Sequence, residues 1–148
     1  MINVDITISG MNQAEGMLNN LKAAVEDMSM EMSDLGDYFM NFFSGDVYDS
    51  EGAVFNHPWQ ALSPAYEIQK AKKWGGGQIL VASGEMKQSY SLQTSPNQMT
   101  ISNSKFYAGY HQSGTSKMPR RVLMDFDQPR IDHITNTILN GIIGKLGI

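Results

Sequence analysis

The 148-residue chain contains no cysteine, which removes disulfide scaffolds, thiolate zinc sites and thiol nucleophiles together. Long apolar runs are missing too. No stretch approaches the roughly 20 residues that span a bilayer, and Met1-Ile2-Asn3-Val4-Asp5 lacks the basic region and apolar run of a signal peptide. A soluble, cytoplasm-made protein with no membrane partner is expected. Histidine is scarce: His57, His111 and His133 lie too far apart for short metal-ligand spacing. No Gly-x-Ser-x-Gly elbow surrounds any serine, so neither an enzyme nor a cofactor is expected. The length suits one domain, 1–148, with a single core.

Basic residues are nearly absent from the first part of the chain. Residues 1–58 hold ten acids and only Lys22, a balance of −9, whereas residues 59–148 hold ten bases and five acids, a balance of +5. Two oppositely charged surfaces follow. They can face each other within one fold, or meet head to tail between copies.

Ile2, Val4, Ile6 and Ile8 alternate with polar residues and Gly10 follows, which predicts a strand over 2–9. From Met11 the spacing changes to threes and fours through Ala14, Leu18, Leu21, Val25, Met28, Met32, Leu35, Phe39 and Phe42. Met17 and Met30 broaden the stripe. One long amphipathic helix over 11–43 is predicted, weakened at Gly16 and Gly36 by about 1 kcal/mol each. Such a helix would be roughly 50 Å long, against a diameter of roughly 40 Å for a compact domain of this size. Either it breaks near Gly36 or one end projects. A projecting end would offer Met32, Leu35, Phe39 and Phe42 to a neighbour.

Residues 44–62 look like a loop. Asp46, Asp49 and Glu51 miss the calcium-loop spacing. Ser63 and Pro64 open a helix as N-cap and first residue, and Gly75-Gly76-Gly77 end it without the lysine and hydroxyl of a phosphate loop. Beyond lie a short strand or turn at 78–82, a brief helix capped by Ser83, and a hairpin turning at Ser95-Pro96-Asn97. An aromatic turn at 106–114, a last strand at 122–126 and a C-terminal helix from about Pro129 complete the chain. The mixture predicts an α+β fold, with the long helix and a C-terminal helix packed on a small antiparallel sheet. Two short basic clusters, Lys70, Lys72, Lys73 and Lys117, Arg120, Arg121, leave open binding of nucleic acid without sequence preference.

Trp59-x-x-Leu62-Ser63-Pro64, then Ser83-Gly84 and Met86, then Tyr107-Ala108-x-x-His111-Gln112-x-Gly114, then Pro119-x-Arg121 and an apolar run, form an ordered set. In that combination the chain resembles the virion morphogenesis, or tail completion, family of tailed bacteriophages and prophages. It departs from the usual pattern at Ser83, where threonine is common, at Val122, where proline follows the arginine, and at Asp125, where glycine is frequent. The resemblance implies a structural protein of the virion that completes the tail at its head-proximal end. It also implies self-association into a ring, with six copies the expectation, and contact with tail tube, tail terminator and head-tail connector proteins. Genomic DNA would pass through the channel unread. Trp59 would then anchor a loop on the core, Tyr107 and His111 would fix a turn, and Arg121 would tie the last strand or a neighbour.

Overall fold

The computed structural model describes residues 11–148, so the strand expected over 2–9 lies outside the described residues. The first element, α1, spans Met11–Glu26, and α2 spans Ser29–Asn41. The predicted long helix is therefore broken at Asp27–Met28, and not at Gly36. The Asp27 carboxylate accepts from the Ser29 amide at 3.0 Å, which turns the chain into a new helix start. Two further bonds come from far along the chain. Met28 N–H donates to Pro96 O at 2.9 Å, and the Asn97 side chain donates to Glu26 O at 3.2 Å. A hairpin tip thus satisfies backbone groups that the interruption would strand.

Gly36 serves another purpose. A Cβ there would stand 2.7 Å from Leu92 Cδ2, so glycine lets the hairpin lie close on α2. The helical path runs beyond its predicted end, through one wide π-type turn over Phe42–Asp46 into α3, Val47–Asp49. That turn admits an extra residue. Consecutive Phe42 and Phe43 are both buried there. Part of the expected loop over 44–62 is accordingly helical.

Ser63 caps α4, Pro64–Trp74, accepting from Tyr66 N–H at 3.3 Å, and Gly75 closes it in the left-handed conformation. No helix follows Ser83; residues 85–88 form a turn. Strands β1, Tyr90–Ser95, and β2, Gln98–Asn103, pair antiparallel from Tyr90↔Asn103 to Ser95↔Gln98, with Pro96-Asn97 as the turn. Residues 106–114 are not a turn, because Phe106–Ser113 form the helix α5. Asp127 caps α6, Gln128–Leu146.

The hairpin covers one side of α2, and α6 crosses both α1 and α2. Leu35, Phe39, Phe43, Val47 and Tyr48 form the innermost layer, each no more than 2% exposed. Ile134, Ile138 and Ile142 of α6 close it from outside. At Gly141, α6 comes so near α2 that a Cβ would collide with Glu31. The Glu31 carboxylate pairs there with Lys145 at 2.9 Å, which holds it below the usual carboxylate range. The fold is α+β, as the sequence predicts.

The placement of the interface residues needs correcting. Met32, Leu35, Phe39 and Phe42 are buried in the chain's own core, so these four side chains offer nothing to a neighbour. The near end of the helical stripe does. Met17 and Leu18 on α1 are 73% and 65% exposed, and Leu21, Val25, Leu139 and Ile143 also reach solvent.

Candidate functional site

Most of the resembling residues line one cavity of about 1030 Å³. Trp59 is not part of its lining but holds the adjoining loop: its indole N–H donates to Val122 O at 2.9 Å and its ring meets Tyr48 edge-on at 5.4 Å. Gly52 lies directly against this ring: a Cβ would stand 2.5 Å from Trp59 Cδ1, and its φ of +81° suits glycine. Trp59 is buried and ties residues 51–59 to residue 122.

Arg121 is the second tie. It is 5% exposed, and its guanidinium donates to Gln60 O at 2.9 and 2.8 Å and to Ala61 O at 3.3 Å. Its backbone N–H donates to His111 O at 2.7 Å. Burial holds its pKa below the usual arginine range. The planar donors grip a loop of the same chain, which settles where their bonds go.

Gln112 has a role that its sequence does not announce. Its amide oxygen accepts from Leu123 N–H at 2.8 Å and Met124 N–H at 3.0 Å, and its amide N–H donates to Met124 O at 2.7 Å. Residues 122–126 are therefore not the predicted strand. They are an irregular segment, bent at Leu123, in which the Leu123 and Met124 backbone groups are paired by one side chain. Gly114, at φ +73°, ends α5 where a Cβ would stand 2.9 Å from Arg120 N. The chain then turns through the Thr115↔Met118 bridge to Pro119. Gln112→Leu should leave these three backbone groups without partners. A loss of about 2–3 kcal/mol is expected, read as a lower urea midpoint with an unchanged slope.

Tyr107 and His111 of α5 line the cavity with Ser63, Pro64, Gly84 and Pro119, so most of the ordered set shares one wall or another. His111 is half-buried and its Nδ1 has no hydrogen-bond partner. Burial, then the Arg121 charge, lowers its pKa below the ordinary 6.5. The unfolded chain therefore takes up a proton first. Stability from His111 is complete above about pH 6.5 and falls as the pH drops through the window down to the folded value. Melting temperature should decline as the pH falls below about 6.5, and His111→Gln should flatten that decline.

One cavity residue escapes sequence reasoning. Lys70 is only 2% exposed, and its ammonium donates to Gln78 O and, at 3.1 Å, to Gly77 O. Burial lowers its pKa, while Glu51 and Glu67 act the other way. The signal was available: a lysine near the C-terminal end of a helix that stops at a glycine run is placed to bind the returning carbonyls. Lys117 lines the rim and is exposed, whereas Arg120 lies outside the cavity and donates to Gln112 O at 3.2 Å. Asp46, Asp49 and Glu51 do not converge on a cation. Asp49 pairs with Lys87 and Glu51 accepts from Ile79 N–H.

Taken as a whole, the site is a set of loops tied together around an open, partly cationic hollow. Among the described residues there is no group of histidines and acids arranged to hold a metal, and no helix long and apolar enough to cross a membrane. The phage virion morphogenesis family matches the chain over residues 10–142, and the chain belongs to that family. Its role is thus in bacteriophage virion assembly, as a structural component. No curated protein and no solved structure matches the chain.

Proposed function

We propose that this protein completes the tail at its head-proximal end and takes part in joining head to tail, as a subunit of a closed, six-membered ring around the DNA channel. The observation that carries the reading is the family match, which spans nearly all of the chain and every residue of the tied loops. Exposed Met17 and Leu18 on α1 support it, because a contiguous apolar surface on a small protein is ordinarily covered by a partner. Tail tube, tail terminator and connector proteins are the partners that this position supplies. No catalytic step is assigned.

The nucleic-acid reading has less support. Each basic cluster contributes one member, Lys70 or Arg121, whose donors are taken by backbone carbonyls. Only Lys72, Lys73, Lys117 and Arg120 remain on the surface for phosphate. The test is genetic and structural. A phage lacking this gene should accumulate filled heads and separate tails in micrographs, and the wild-type protein supplied from a plasmid should restore joined particles. Joined particles at normal yield without the gene would overturn the proposal.

A further inference from the structure

The cavity has an electrostatic imbalance. Lys70, Lys117 and Arg121 all line it, and among the described residues none has a carboxylate within ion-pair distance. The acid on its wall, Glu85, is already paired with Lys105 at 2.6 Å. Two of the three cations, Lys70 and Arg121, are almost wholly buried and donate to backbone carbonyls, with the Glu51 and Glu67 charges also acting on Lys70, so Lys117 is the exposed cation of the set. His111 adds an unpartnered ring nitrogen to the same wall. Such a hollow favours an anionic group.

The complementary charge lies on the other half of the chain. On α2, Asp34 and Asp37 are exposed, stand three residues apart on one helix face, and have no ion-pair partner among the described residues. The opposite face of α2 is locked in the core by Leu35 and Phe39, so the carboxylates are held on a rigid support. No bond joins them to the cavity cations of their own chain. We propose that the cavity seats Asp34 and Asp37 of a second copy of this chain, an inference that rests on the reading of the protein as a self-associating virion subunit. The contact is heterologous, since cavity and helix face are different surfaces. Repeated by rotation, it closes a ring.

The test uses the full chain and substitutions at exposed positions only, sparing Arg121 and Lys70, which hold loops. Self-association is measured by sedimentation at low and high salt for wild type, Lys117→Glu, Asp37→Lys and the double variant. Circular dichroism melts confirm that each is folded. Each single change is expected to weaken association by about tenfold or more at low salt, with less difference at high salt. The double variant should regain most of the loss. Singles that associate like wild type, or a double variant no better than the singles, would overturn the cavity contact while leaving a ring formed through α1 intact. A wild-type protein that stays monomeric would remove the second copy as occupant. Normal head-tail joining without the gene would sink the functional reading itself, and the micrographs distinguish that case from the others.

Discussion

Leu35→Lys is expected to abolish cooperative folding. Leu35 is 2% exposed on α2, beside the point where Gly36 meets Leu92 and beneath the crossing of α6. Removing a buried leucine costs about 2–5 kcal/mol, and leaving an ammonium without a partner in that place costs several more. The total stability of a domain this size is about 5–15 kcal/mol. Snorkelling offers little relief because the hairpin and α6 cover the helix from both sides. Leu35→Ala, which only makes a cavity, should remain folded with a clearly lower midpoint. Urea titrations followed by circular dichroism give both results. A sharp, near-wild-type transition for Leu35→Lys would place this side chain outside the core.

Trp59→Ala should lower stability by about 3–5 kcal/mol. The ring is 6% exposed, packs edge-on against Tyr48 and fills the space that Gly52 leaves open. Its loss also strands Val122 O, the acceptor of the indole N–H. Trp59→Phe separates the two effects. It keeps most of the apolar volume and forfeits the hydrogen bond, for a loss of about 1–2 kcal/mol. A melting temperature within a degree of wild type for Trp59→Ala would show the loop to be held by Arg121 alone.

The apolar periodicity of residues 11–43 was legible, since the three-four spacing is a local property of a helix. Its interruption was not. The groups that stabilise the break, Pro96 O and the Asn97 side chain, lie some 70 residues away, and no window around Met28 contains them. The wide turn at Phe42–Asp46 is similarly set by burial of two adjacent phenylalanines. At the other end, the apolar run from Val122 reads as a strand, and Val122 and Leu123 are indeed buried. The partner turned out to be the Gln112 amide, which no strand pattern encodes.

The candidate site was legible as a set of residues and not as a shape. Ser63, Tyr107, His111 and Arg121 line one cavity, whereas Trp59 and Gly114 do not; the cap role of Ser63 follows from its chemistry, and the anchor role of Trp59 from the family resemblance. The helix α5 was missed because Lys105 supplies no capping bond and the segment is rich in aromatics and glycine. The interface residues were misplaced for a related reason. A long stripe shows that one face must be covered, without showing which end the rest of the chain covers.

The crossing of α6 over α1 and α2 bears on when the protein can fold during synthesis. Lys145 reaches Asp27 O at 2.6 Å and Glu31 at 2.9 Å, a sequence separation of more than 110 residues. On the ribosome, α2 emerges early with a phenylalanine-rich face whose outer cover is made last. The hairpin can settle on one side of α2 well before that, but the α6 side stays open until the chain past Lys145 has left the exit tunnel. A nascent chain stalled before Gln128 should therefore bind a holdase chaperone, and one released beyond Leu146 should not.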